Sequence, residues 1–253
     1  MALQRARLDR TLRSALGLSS QEVKLLLASA RVFVDGHLAR DADMRIHAFS
    51  HVRVGDQVLQ AREPRYLMLH KPAGLLSATR DASQPTVMSL LPESLREGLH
   101  LAGRLDKSST GLVLLSDDSR WTQAGMSPGQ AVEKSYRVQV RDPISPACVK
   151  AFAEGMYFAY EALWTLPATL EVLAPCLARV TLQEGRYHQI KRMFGRFRNP
   201  VLALHRERIG ALNLDPALAP GEYRPLTSAE VQSAVQCAAV GGCPDPSAAG
   251  KGA

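Results

Sequence analysis

Residues 101–118 read LAGRLDKSSTGLVLLSDD: an apolar lead-in, a polar loop bounded by Gly103 and Gly111, and an apolar run from Leu112 to Leu115. The pattern is strand, loop, strand. Arg104 and Asp106 lie one residue apart within the loop, so a cation and a carboxylate are carried between two strands expected to be buried. Loops anchored this way often present functional groups, because a rigid scaffold fixes their position. A surface ion pair in a hairpin is the competing reading of the spacing.

The flanking sequence supplies more strands. YLMLHKP is a short apolar strand stopped by Pro72, EKSYRVQVR and LARVTLQEG alternate with period two, and YHQIKRMFGRF has helical spacing. Strands dominate without regular βαβ alternation, which predicts an α+β fold with a mixed, mainly antiparallel sheet over residues 66–237. Residues 61–65, AREPR, read as a linker. The Gly/Pro-rich segment 238–253 reads as a disordered tail.

Residues 1–60 form a separate basic module with nine cations and six carboxylates. Leu8, Leu12 and Leu16 have helical spacing, Gly17 is a helix stop, and Ser19 or Ser20 caps a second helix through Val23 to Leu27. Asp35-Gly36 within RVFVDGHLAR signals a tight hairpin, and HVRVGDQVLQ reads as one further strand. Two readings of the arginines stay open: an ordinary solvated surface, or a phosphate-binding face formed by Arg5, Arg7, Arg10, Arg13 and Arg31.

The ordered motifs carry a resemblance. GRLDKSSTGLVLLSDD resembles the signature of the ribosomal pseudouridine synthases, and LHKPAG, EKSYRV, EGRYHQIKRMF, LHRERIG and LAPGEYRPLT resemble further motifs of that family in the same order. The resemblance covers roughly residues 5–235. It implies that Asp106 is the catalytic aspartate, that Tyr136 stacks on the uracil, and that Lys191 is the basic partner of the aspartate. Arg104 would contact the RNA backbone, and Leu226 would pack against the target base. Lys71, Arg186, Arg192, Arg206 and Arg208 are carried over as substrate- or RNA-binding. Residues 1–60 are similar to the small helix-rich, alpha-L type RNA-binding domain of a small-subunit ribosomal protein, with Arg7, Arg10 and Arg31 as its RNA face. His70 departs from the commoner asparagine, and Lys107-Ser108 from a more acidic or apolar pair.

The implied reaction breaks the glycosidic bond of a uridine, rotates the uracil and rejoins it through carbon 5. The last motifs look closest to members acting on a single uridine of 16S rRNA. A 23S-directed member of the family and a non-catalytic RNA-binding assembly factor are the alternatives. The expected partner is 16S rRNA within a small-subunit assembly particle, bound by a monomer. An extruded nucleotide costs a few kcal/mol of unstacking, which Arg104 and Tyr136 would offset. Burial disfavours an ionised carboxylate and a nearby cation favours it; Lys191 is that cation.

Composition agrees. The 253 residues carry 31 cations against 24 anions, and 24 of the cations are arginine, the side chain suited to phosphate and to bases. The run Arg186–Arg208 holds seven cations against Glu207 alone, and most are expected to face phosphate and solvent. Neither a dinucleotide-binding glycine motif nor a phosphate loop occurs. Cys148, Cys176, Cys237 and Cys243 lack metal-ligand spacing and read as reduced thiols. No metal or cofactor is expected. With no apolar run near the eighteen or so residues of a membrane span, and no secretory leader pattern at the start, a cytoplasmic protein is expected. His188 and His205 read as packing or hydrogen-bonding residues. Tyr157, Tyr160 and Trp164 suggest a stacking platform, but core or loop packing is the reading adopted.

Overall fold

A computed structural model describes residues 6–126 and 132–240. The chain divides into two compact units between Pro64 and Arg65.

The first unit holds β1 (Ala6–Arg7), α1 (Leu8–Leu16), α2 (Ser20–Ala28), β2 (Val32–Val34), β3 (His37–Leu38), β4 (Arg45–Ile46), β5 (Val52–Val54) and β6 (Gln57–Gln60). The helix α1 ends where Gly17 takes a left-handed conformation, φ 68°, and returns its N–H to the Arg13 carbonyl. Ser19 and Glu22 form a reciprocal capping box at the start of α2. Asp35 and Gly36, both at positive φ, close the β2–β3 hairpin. HVRVGDQVLQ is a hairpin rather than the single strand expected: Gly55, at φ 57°, reverses the chain so that β5 and β6 pair. The strands order as β3-β2-β5-β6, and Leu8, Leu12, Val23, Leu27, Val32 and Val52 fill the core.

The second unit is built on a nine-stranded sheet. Its elements are β7 (Tyr66–Lys71), α3 (Glu93–Arg96), β8 (His100–Ala102), β9 (Thr110–Ser116), α4 (Ser119–Met126), β10 (Lys134–Val140), α5 (Pro146–Glu154), a small hairpin of β11 (Tyr157–Phe158) and β12 (Leu163–Trp164), β13 (Thr169–Ala174), β14 (Leu177–Leu182), α6 (Gln189–Gly195), β15 (Val201–Ile209), β16 (Leu212–Asn213), β17 (Tyr223–Pro225) and α7 (Ser228–Val240). The order is β13-β14-β10-β15-β9-β7-β17, with β16 beside β15 and β8 beside β9. Every pairing is antiparallel except β9–β15, where His205 and Arg206 lie opposite Thr110 and Gly111. The expected mixed, mainly antiparallel sheet is the one found.

Helices cover both faces. One face packs on α5 and α6 through Leu67, Leu69, Val113, Leu115, Phe152, Ile190 and Phe194. The other packs on α4 and α7 through Met68, Leu112, Leu114 and Trp121. Because β9 is central and covered on both sides, Leu112 to Leu115 are all buried, which explains a continuous apolar run where a half-exposed strand would alternate.

The parallel junction is tight. A Cβ on Gly111, at φ 109°, would lie 2.3 Å from the Arg206 carbonyl oxygen, so only glycine lets the strands approach. Along the same edge of β9, pairing passes from β8 to β15. The loop 103–109 leaves the sheet at that switch.

The helix α7 extends to Val240, so residues 238–240 belong to it; the remainder of the expected tail lies outside the described residues. Cys148 and Cys176 are free thiols, and burial pushes Cys148 up to about 11.

Candidate active site

The loop 103–109 is held from beneath. Lys71, at the end of β7, is fully buried, and its ammonium donates to the carbonyls of Pro72, Asp106, Lys107 and Ser109 at 3.0, 3.2, 3.2 and 2.8 Å. Arg206, fully buried on β15, donates to the Leu112 carbonyl at 2.8 Å and the Arg104 carbonyl at 3.2 Å. Ser77 closes the near side, with its hydroxyl donating to the Leu105 carbonyl at 2.8 Å. Two buried cations and a hydroxyl thus fix the backbone that carries Asp106.

The carboxylate projects into a cavity of about 90 Å³ lined by Arg104, Tyr136, Leu182, His188, Ile190, Lys191 and Leu204 among others. Lys191 Nζ stands 2.9 Å from Asp106 Oδ2, and His188 Nε2 stands 3.3 Å from Oδ1. Lys191 also donates to the Ser108 hydroxyl at 3.0 Å. Tyr136 reaches the cavity from β10, and Leu182, Ile190 and Leu204 give it apolar walls. A charged oxygen among flat and aliphatic surfaces suits a ligand with an apolar ring face and a polar edge.

The loop before α6 is itself braced. Gln189 donates to Glu184 at 2.6 Å and accepts from the Arg186 N–H at 3.1 Å, and Arg186 Nε donates to Glu184 at 2.8 Å. His188 sits in the left-handed region, φ 50°, which turns its ring toward Asp106. Its role beside the carboxylate was not anticipated from sequence. Helical periodicity could not have placed it there, because His188 precedes α6 in a left-handed conformation; the available signal was its position three residues before Lys191 in the same motif.

A family model described as RNA pseudouridylate synthase matches residues 65–195, the segment from β7 through α6. The chain belongs to the RNA pseudouridylate synthase family. This synthase is 50% identical over 228 residues to the ribosomal small subunit pseudouridine synthase A of Pseudomonas aeruginosa, covering 90% of this chain and 99% of that one. It is 44% identical over 230 residues to the protein of the same name from Escherichia coli K12, covering 90% and 100%. A crystal structure of a pseudouridylate synthase superposes with a TM-score of 0.67 at 37% identity, over 90% of this chain and 99% of that chain.

The synthase gathers Asp106, Tyr136, Lys191, Arg104 and Arg186 around one cavity. Other expected residues are elsewhere. Lys71 and Arg206 are sealed beneath the loop and cannot reach RNA. Leu226 packs with the Trp121 cluster on the opposite face of the sheet from Tyr136, because it follows β17 on the side of Met68. Arg192 is clamped by Glu161 through two 2.6 Å bonds and lies over the Phe158 ring. Arg208 pairs with Glu133 at 3.1 Å. The cation-rich run therefore has fewer free charges than its sequence suggests: other loops and strands bring carboxylates to it.

In the N-terminal unit Arg7 is bound by Asp9 and Asp43, so it is not a free cation. Arg10 and Arg31 are exposed, and Arg5 lies outside the described residues. His205 accepts or donates at Thr110 Oγ1, 2.8 Å away, and meets His70 edge-on; burial and then His70 lower its pKa. It packs, as expected. Tyr157, Tyr160 and Trp164 lie outside the core: all three are exposed, and only Tyr157 and Trp164 meet each other, ring centroids 5.9 Å apart. Among the described residues no cluster of His, Cys, Asp or Glu could hold a metal, and no helix is long and apolar enough to cross a membrane.

Proposed function

We propose that this synthase isomerises one uridine of 16S rRNA to pseudouridine, with Asp106 as the catalytic carboxylate. The observation that carries the reading is the position of Asp106: on an immobilised loop, in a cavity, with a cation on one oxygen and a histidine on the other. The small-subunit enzymes from two organisms that share 44–50% identity over nearly their full lengths support the choice of 16S rRNA.

The geometry performs the reaction in stages. A uridine inside a helix hides its sugar, so the nucleotide swings out of the stack into the cavity. Arg104, exposed at the rim, takes a backbone phosphate. Tyr136 and the aliphatic walls receive the uracil ring. Asp106 then acts on the ribose while Lys191 fixes the orientation of its carboxylate, so that the reacting oxygen arrives in place. The same walls retain the detached uracil while it rotates. In the N-terminal unit, Arg10 and Arg31 contribute phosphate contacts to RNA within a small-subunit assembly particle.

Asp106→Asn and Asp106→Ala test this directly. Both should abolish tritium release from 5-labelled uridine in 16S RNA while RNA binding persists; appreciable turnover by either removes the assigned role. Nucleotide-resolution mapping in a strain lacking the gene should show one pseudouridine missing from 16S and none from 23S rRNA.

A further inference from the structure

The hairpin β11–β12 is built against the usual pattern. Its inward face, Phe158 and Leu163, joins the core, as half of any two-residue alternation should. Its outward face should then be polar, yet it carries Tyr157 opposite Trp164, ring centroids 5.9 Å apart, with Tyr160 on the connecting turn. Trp164 is 65% exposed and Tyr160 96% exposed. Large aromatic side chains clustered in water on a rigid turn mark a contact surface.

Its setting indicates what makes the contact. Arg192 of α6 clamps Glu161 in the turn, which neutralises the carboxylate there, and its Nη1 also reaches the Tyr187 carbonyl at 3.4 Å. Tyr187 is 76% exposed and stacks on His188 at 3.9 Å, and His188 touches Asp106. Arg196 donates to the Tyr157 carbonyl at 3.3 Å, and both it and Arg198 are exposed without a carboxylate partner among the described residues. Exposed rings therefore lead from the carboxylate, through Tyr187, to the hairpin, beside Arg196, which no carboxylate among the described residues satisfies. Aromatic faces stack on bases and arginines meet phosphates, which is how unpaired nucleic acid is held without reading its sequence.

We propose that Tyr160 and Trp164, with Tyr187 nearer the cavity, form a stacking platform for unpaired nucleotides flanking the extruded uridine. The inference rests on the pseudouridine synthase reading and adds a second RNA contact outside the cavity.

The test measures equilibrium binding of the full chain, in an Asp106→Asn background so that no turnover intervenes. Two 16S-derived fragments are used, one with unpaired nucleotides beside the target uridine and one with those flanks base-paired. Tyr160→Ala combined with Trp164→Ala should weaken binding of the unpaired-flank fragment about tenfold or more and leave the paired-flank fragment unaffected. Tyr160→Phe with Trp164→Phe, which keeps both rings, should restore it. Exposed Trp164, unlike buried Trp121, should be quenched by the unpaired-flank fragment. Equal affinity of variant and parent, or equal loss on both fragments, overturns the platform. So does a loss seen only toward the assembling particle with free RNA bound normally, which would assign the surface to a protein. Tritium release by the unmutated chain is assayed separately, so an inactive enzyme would undo the reaction assignment without being mistaken for failed stacking.

Discussion

Lys191 Nζ lies 2.9 Å from Asp106 Oδ2 and 3.0 Å from the Ser108 hydroxyl, so a single ammonium ties α6 to the loop between β8 and β9. These segments are 83 residues apart in sequence. Removing the charge should leave the fold intact and loosen the carboxylate. Lys191→Met is expected to lower single-turnover rates about 10²- to 10³-fold with RNA affinity little changed, and Lys191→Arg should recover part of the loss. A Lys191→Met enzyme of ordinary rate would show that the ion pair is incidental.

Lys71 is a different kind of lysine. Burial lowers it to about 8, yet four carbonyls of the loop and its approach accept from it. Lys71→Met relieves the cost of a buried charge but strands those carbonyls, and the second effect should dominate. We expect a loss of about 2–4 kcal/mol in urea unfolding, together with lost turnover as Asp106 drifts.

Gly111→Ala should be worse. The added carbon meets Arg206 backbone at 2.3 Å and 2.6 Å, with a φ that L-residues avoid. Neither strand can retreat, since both are central in the sheet. A loss above about 4 kcal/mol is expected, read as a collapsed melting temperature or insoluble protein; a soluble, well-folded Gly111→Ala chain would contradict the close approach.

Glu230 locks α7 to β17. Two bonds from Arg224, at 2.9 and 2.8 Å, are the main reason its carboxyl falls from an ordinary 4.5 to about 2. A carboxylate depressed in the folded state stabilises above its unfolded value and loses that contribution as pH falls. Between 4.5 and about 2 the unfolded chain binds the extra proton, so stability should decline through that window. Glu230→Gln should lower the melting temperature near neutrality and flatten its acid dependence over the same interval.

Arg104 and Arg208 should part company in salt titrations. Arg104 is exposed on the rim of the cavity, whereas Arg208 is held by Glu133 and the Gly210 carbonyl. Arg104→Ala should reduce the slope of log affinity against log salt by about 0.7, one single-strand phosphate. Arg208→Ala should leave the slope unchanged.

Much of this was legible in the chain itself. Helical spacing up to Gly17, the Asp35-Gly36 turn, the buried run Leu112–Leu115 and the loop holding Arg104 and Asp106 all follow from local rules, because φ/ψ preference and side-chain periodicity act between near neighbours. The resemblance placed Tyr136 and Lys191 with Asp106, and the sheet brings them together. Local rules also have limits: apolar residues alternate on both sides of Gly55-Asp56, so HVRVGDQVLQ reads as one strand where the chain forms the β5–β6 hairpin.

What only the tertiary structure decided is which groups meet across the sheet. Sequence showed seven cations in one run; β15 buries Arg206, while distant carboxylates Glu161 and Glu133 claim Arg192 and Arg208. It showed Leu226 in a motif, and β17 turned it to the face away from Asp106. It made His188 a hydrogen-bonding or packing residue without naming its partner, and the fold set it 3.3 Å from Asp106; it read Tyr157, Tyr160 and Trp164 as core or loop packing, and the fold left all three rings exposed. Periodicity fixes which side of an element a residue occupies, but the neighbour on that side is set by strand order and register, and those are properties of the whole sheet.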